Sequence, residues 1–129
     1  MENQKNYSVT EIGLMENITR VLLKDSLSLT GAEISANRMP AGKASTFAHS
    51  HKRNEEIYLF TAGKGFFWLD GTIIPVREGS TVRVSPVCVR ALKADESEPL
   101  SYFCIQVDEG SLVQATREDG IISDVKPQW

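Results

Sequence analysis

Apolar and polar residues alternate along short stretches of the chain, and this period of two predicts β-strands. The stretches are rich in β-branched and aromatic residues and end at Gly, Pro or acidic residues. The only helical competitor, over 9–24, is weakened by Gly13. The predicted strands cover 19–23, 33–39, 45–51, 56–61, 65–69, 72–76, 81–84, 89–94 and 100–107.

The turn residues support an antiparallel arrangement of these strands. Asp70-Gly71 separates the apolar runs FFWL and TIIPV, and both residues tolerate the positive φ of a type I′ hairpin turn. Closely spaced strands with short turns between them are typical of a sandwich or barrel. The sequence therefore predicts an all-β fold.

Composition narrows the class of protein. The chain has 129 residues, of which 41% are hydrophobic and 24% are charged, as in an ordinary globular protein of one domain. No apolar run is long enough to span a bilayer, and the N-terminus does not resemble a signal peptide, so we expect a cytoplasmic protein that does not bind membranes. The net charge is −3 and the basic residues are scattered, which argues against nucleic acid as a partner.

Both histidines of the chain lie in one predicted strand, at His49 and His51. Residues two apart in a strand point to the same face, so the two imidazoles can converge on one ion. A carboxylate from the next strand, Glu56, would complete a facial triad of two histidines and one carboxylate with open coordination positions. Glu56 is favoured over Glu55 because it would face inward. The alternative is that both histidines are hydrogen-bonded walls of a metal-free pocket.

The stretch 42–63 resembles the first conserved motif of the cupin superfamily, G(X)5HXH(X)3-4E(X)6G. Four residues separate His51 from Glu56, and six more separate Glu56 from Gly63. Six residues separate Gly42 from His49, where the motif has five. The spacing thus also selects Glu56 as the third ligand. The resemblance implies a cupin-type double-stranded β-helix (jelly-roll) barrel, antiparallel, over about 31–111, with an N-terminal arm over 1–30 and a C-terminal arm over 112–129.

The second cupin motif, G(X)5PXG(X)2H(X)3N, matches less well. Gly79 and Pro86 resemble its glycine and proline, with six residues between them where the motif has five. Counted from Gly79, Arg90 stands in place of the histidine and Ala94 in place of the asparagine. A guanidinium has no lone pair to offer a metal. Arg90 would either bind a carboxylate or phosphate of the substrate, or pair with Glu56 in place of the metal.

Three further residues are predicted to bind substrate. Tyr58 and Trp68 would form an aromatic lining, although each is also an ordinary core residue in the alternative interpretation. Gln106 would reach the pocket if Tyr102, Cys104 and Gln106 face inward, and would not if the opposite register holds. We therefore expect a substrate site at Arg90, Tyr58, Trp68 and Gln106, while the sequence identifies no catalytic residue.

The resemblance leaves several functions open, because one scaffold serves many activities. The first is a metal-binding cupin that acts as a metal-dependent oxygenase or isomerase on a small polar or anionic metabolite. Its divalent transition metal would be Zn, Fe, Ni, Cu or Mn. The alternatives are a non-catalytic small-ligand sensor and a metal-free sugar isomerase or epimerase. Cupins of this size commonly form homodimers through a sheet edge and N-terminal strands, which is the expected assembly.

Overall fold

The structure, a computed structural model, describes residues 5–129. The first four residues of the predicted N-terminal arm therefore lie outside the described residues. A short helix α1 (Lys24–Leu27) and two 3₁₀ turns (Met15–Asn17 and Arg117–Asp119) accompany the strands. The strands are β1 (Arg20–Leu22), β2 (Glu33–Met39), β3 (Asn54–Ala62), β4 (Lys64–Leu69), β5 (Thr72–Arg77), β6 (Thr81–Val84), β7 (Arg90–Ala94) and β8 (Leu100–Asp108).

The strands form two antiparallel sheets. The larger sheet has the order β1-β2-β8-β3-β6, and the smaller has the order β5-β4-β7. Side chains that alternate toward the space between the sheets form one apolar core. Its buried members include Tyr58, Phe60, Phe67, Val76, Val84, Leu92, Ala94 and Leu100. The prediction of an all-β, antiparallel fold is confirmed.

Most predicted strands appear with their ends shifted by one or two residues. The predicted hairpin at Asp70-Gly71 also appears, because both residues have positive φ, +49° and +92°, and Leu69 pairs directly with Thr72. The left-handed conformation at both central positions is that of a type I′ turn. The pattern over 9–24 yields only the 3₁₀ turn Met15–Asn17 as helical structure before α1.

The predicted strand over 45–51 is not regular. It pairs with β7 through two isolated bridges, Ala44 with Lys93 and His49 with Arg90. The two bridged residues of this segment are five positions apart (44 and 49), whereas their partners on β7 are only three positions apart (93 and 90). Two extra residues must bulge out of the ladder, and the exposed fraction of Phe47 is 70%.

In the part of the chain that the structure describes, no helix is both long and apolar enough to cross a membrane.

Candidate metal centre

The two histidines are held by backbone hydrogen bonds to the segment that leads into β7. His49 exchanges both backbone hydrogen bonds with Arg90, at 3.1 and 2.9 Å, and the backbone N–H of His51 donates to the carbonyl of Pro86 at 2.8 Å. The centroids of the two imidazole rings lie 5.1 Å apart. The irregular segment therefore still brings both imidazoles to one place.

Glu56 reaches the histidines from β3. It lies on the inward face of that strand with Tyr58 and Phe60, and all three side chains are buried. Glu55 points the other way and forms an ion pair with Arg83. The period of two along β3 thus separates two adjacent carboxylates and brings only Glu56 to the histidines.

The side chains of His49, His51 and Glu56 converge. One ligand atom from each lies within 4.8 Å of the others, and Nε2 of His51 is 3.1 Å from Oε2 of Glu56. Burial lowers the pKa of His49 below its usual value, so this imidazole is neutral and has a free lone pair at neutral pH. Two imidazoles and a carboxylate at this spacing fit a divalent transition metal.

The other oxygen of Glu56 contacts two buried residues. The hydroxyl of Tyr58 donates to Oε1 at 2.8 Å, and Nε of Arg90 lies 3.7 Å from the same oxygen. Arg90 also donates from Nη2 to the carbonyl of Ser85 at 2.8 Å. Its Nε and Nη1 are buried without a hydrogen-bond partner among the described residues. On the side away from the histidines, Glu56 is therefore held by the hydroxyl of Tyr58 and lies beside the guanidinium of Arg90.

The triad lies on the wall of an open cavity of about 630 Å³, which we call the barrel cavity. Such a volume accommodates a small metabolite. Other parts of the wall are polar side chains from β1, β2 and β8, namely Arg20, Ser35, Asn37, Tyr102 and Gln106. Burial raises the pKa of Tyr102 to about 12 and that of Cys104, also on this wall, to about 12.

The four residues expected to bind substrate have different positions. Gln106 lines the barrel cavity and accepts a hydrogen bond from Asn54. Tyr58 and Arg90 lie behind Glu56 and are absent from the cavity wall. Trp68 lies on the outer face of β4, because strand alternation turns its neighbour Phe67 into the core. The structure thus brings only Gln106 of this set to the cavity.

Sequence reasoning overlooked Arg20, Ser35 and Asn37, which also line the barrel cavity. Ser35 and Asn37 alternate along β2, so their spacing could have suggested one polar face. Nothing in the sequence indicates that this face meets the histidines, since that depends on the pairing of β2 with β8.

Comparisons with known proteins agree with this architecture. The family model described as "Cupin domain" matches residues 37–106. A crystal structure of a cupin protein from Bacteroides fragilis is 43% identical, with a TM-score of 0.88 over 93% of this chain and 99% of that one. No curated protein matches the chain.

More distant structures share the fold. A protein from Acidithiobacillus ferrooxidans assigned as a sugar phosphate isomerase is 25% identical, with a TM-score of 0.62 over 68% of this chain and 57% of that one. A cupin 2 conserved barrel domain protein from Salinispora arenicola is 19% identical, with a TM-score of 0.63 over 70% and 75% of the two chains. On the family model and the Bacteroides structure together, this chain belongs to the cupin family and has its all-β barrel.

Proposed function

We propose that this chain binds one divalent transition metal through His49, His51 and Glu56 and acts as a metal-dependent enzyme on a small polar or anionic metabolite. The observation that carries the proposal is the convergence of the three ligand atoms within 4.8 Å on the wall of the barrel cavity. Three protein ligands leave coordination positions open for water, dioxygen or substrate. Zinc, iron, nickel, copper and manganese all suit this donor set.

The chain's own residues prepare the site for such chemistry. A bound metal would supply Lewis-acid or oxygen-activating chemistry. Tyr58 holds Oε1 of Glu56 and leaves Oε2 directed to His51, so the carboxylate is oriented before any ion arrives. Tyr102, with a pKa of about 12, keeps its proton at neutral pH and can donate a hydrogen bond to a substrate oxygen.

The metal content of the purified protein tests the proposal. The protein is prepared without a His tag or nickel column, and plasma mass spectrometry compares it with a variant carrying His49→Ala and His51→Ala. We expect close to one equivalent of a transition metal in the wild type and almost none in the variant. Equal, substoichiometric metal in both proteins, with no uptake from added ions, would overturn the proposal.

Two neighbouring glutamates provide a matched control. Glu56→Gln removes a negatively charged metal ligand from the triad. Glu55→Gln removes the same charge on the outer face of β3, where Glu55 pairs with Arg83. We expect the first variant to lose metal and the second to keep it. Circular dichroism and thermal melting establish that both variants are folded.

A metal-free isomerase is the second candidate. It is supported by the similarity to the Acidithiobacillus protein assigned as a sugar phosphate isomerase and by Tyr102 sharing the cavity with both histidines. A histidine as base and a tyrosine as acid are a suitable pair for proton transfer. Activity that survives exhaustive chelation would favour this function. Ligand-dependent thermal stabilisation without any product would instead indicate a non-catalytic binding protein.

We also propose that the protein forms a homodimer. Ile34, Ile105 and Ile57 lie directly opposite one another on β2, β8 and β3, on the face that strand alternation turns away from the barrel cavity. Arg83 of β6 continues the row opposite Ile57 and forms ion pairs with Glu55 and Glu109. The three isoleucines form an apolar strip that can pack against its own copy about a two-fold axis. Light scattering should give a dimer mass for the wild type and a monomer mass for Ile105→Lys.

A further inference from the structure

The barrel cavity needs a cation other than Arg90 if it holds an anion. The side chain of Arg90 is only 1% exposed and is absent from the cavity wall. Its Nη2 is bound to the Ser85 carbonyl, and Glu56 stands on its other side. A ligand in the cavity would have to displace Glu56 to reach this guanidinium.

Arg20 supplies the cation on the cavity wall that Arg90 does not. It lies on β1 directly opposite Asn37 of β2, and directly opposite residues of an antiparallel pair project from the same face of the sheet. Both residues line the barrel cavity together with the two histidines. No ion pair joins Arg20 to an acidic side chain within residues 5–129. Its charge is therefore available to a ligand.

The charge of the cavity wall also favours an anion. Among residues 5–129, Glu56 is the only carboxylate on that wall, and Arg90 already lies beside it. A divalent ion at the triad would add positive charge that no other acidic residue of the wall offsets. The charge of Arg20 also acts within the cavity, since it lowers the pKa of Tyr102 against the larger opposite effect of burial.

Asn37 adds a neutral recognition element next to Arg20. Its side-chain N–H group donates to both the carbonyl and the hydroxyl of Ser35, at 3.2 and 2.9 Å. The two hydrogen bonds to Ser35 fix the orientation of the Asn37 amide, and its carbonyl oxygen can still accept a hydrogen bond from a ligand. An acceptor beside a guanidinium suits a ligand that carries hydroxyl groups as well as an anionic group.

We propose that Arg20 is the anion-binding residue of the barrel cavity and that the ligand is a small hydroxylated carboxylate or phosphate. Its anionic group binds the guanidinium of Arg20, while a hydroxyl group donates to Asn37. The remainder of the molecule extends toward His49, His51 and Glu56. The inference rests on the proposed function for the metal at that end, whereas the anion site stands on Arg20 and Asn37 alone.

Calorimetric titration of glycerol 3-phosphate and D-glycerate into metal-free and metal-loaded protein tests the proposal, with glycerol as the uncharged control. We expect at least one anion to bind and glycerol not to bind. Arg20→Gln should raise the Kd about tenfold or more, as expected for the loss of a charge-assisted contact. Arg20→Lys should recover part of the affinity. Arg77→Gln, an equal change of charge on β5 of the other sheet, should stay within twofold of the wild type.

Two results would overturn the proposal. One is an Arg20→Gln variant whose Kd matches the wild type. The other is a failure of both anions to bind the metal-free and the metal-loaded forms. Metal content, measured on the same samples, separates this outcome from the proposed function. Arg20-dependent binding to a protein that takes up no metal would support the anion site and contradict the metal centre. Metal uptake by a protein that binds neither anion would support the metal centre and contradict the anion site.

Discussion

Tyr58 donates its hydroxyl hydrogen to Oε1 of Glu56 at 2.8 Å, while His51 contacts Oε2 of the same carboxylate at 3.1 Å. Tyr58 is buried on the same face of β3 as Glu56, two residues further along the strand. Its ring packs edge-on against Phe67, with the centroids 4.7 Å apart. The core residue Tyr58 thereby orients the carboxylate of the candidate metal centre.

Removal of this hydroxyl should weaken metal binding without unfolding the protein. In Tyr58→Phe the ring keeps its packing, but Glu56 loses the bond that fixes its orientation. We expect metal affinity to fall about 10–100-fold, as for other partners that orient a ligand. Competition with a chelator measures the change. The control is Tyr7→Phe at an exposed position, and equal affinities of the two variants would contradict the assigned role.

Arg90 should be more important for stability than the exposed arginines. Its guanidinium is buried beside Glu56, so Arg90→Met leaves a buried carboxylate without its cation. We expect a loss of about 3 kcal/mol in the free energy of unfolding of the metal-free protein. Arg53→Met breaks an exposed ion pair with Asp108 and should cost less than about 1 kcal/mol. Urea denaturation compares the two, and similar costs would refute the buried pairing.

The same variant should bind metal more tightly than the wild type. A fixed positive charge behind Glu56 opposes the arrival of a divalent cation, and Met removes that repulsion while filling much of the space. The chelator competition used for Tyr58→Phe measures this change as well. An unchanged affinity would mean that Arg90 does not affect the charge at the triad.

Local rules predicted the features that depend on neighbouring residues. Alternation and turn chemistry predicted β2 and β6 with the ends that the structure has, and the period of two along β3 predicted that Glu56 faces inward and Glu55 outward. These predictions succeed because the information lies within a few residues of the position concerned. The outward position of Trp68 was not determined in this way, since in the run FFW alternation alone does not say which aromatic residues face the core.

Features that depend on pairing between distant strands could not be predicted. The bulge over 44–49 arises because five residue steps face three on β7, and the sequence of either segment alone gives no sign of this mismatch. The position of Arg20 likewise depends on its pairing with Asn37. The burial of Arg90 behind Glu56 also depends on how the two sheets pack, so the sequence alone leaves two roles open for this residue.

The turn after β3 should tolerate no side chain at Gly63. This residue has φ +79°, and a Cβ atom there would overlap the backbone carbonyl oxygen of Pro99. Gly71 has φ +92° but open space around it, so it isolates the cost of the left-handed conformation. We expect about 1 kcal/mol for Gly71→Ala and about 3 kcal/mol or more for Gly63→Ala. Chemical denaturation measures both costs, and equal values would contradict the close approach of Pro99.

Stability should fall at alkaline pH because buried acids on the cavity wall hold their protons. Burial raises the pKa of Cys104 to about 12, whereas an unfolded thiol titrates near pH ~8.5. Between these values the folded state binds more protons than the unfolded state, so the free energy of unfolding decreases as pH rises.

A slope of about 1 kcal/mol per pH unit is expected from this thiol between about pH 9 and 10, and Cys104→Ala should make the slope shallower. Tyr102, with its pKa of about 12, should contribute in the same direction only above its ordinary pKa of about 10. Urea denaturation at stepped pH values measures the slope. If Cys104→Ala leaves it unchanged between about pH 9 and 10, Cys104 is not held protonated, and the cavity wall is more hydrated than its burial implies.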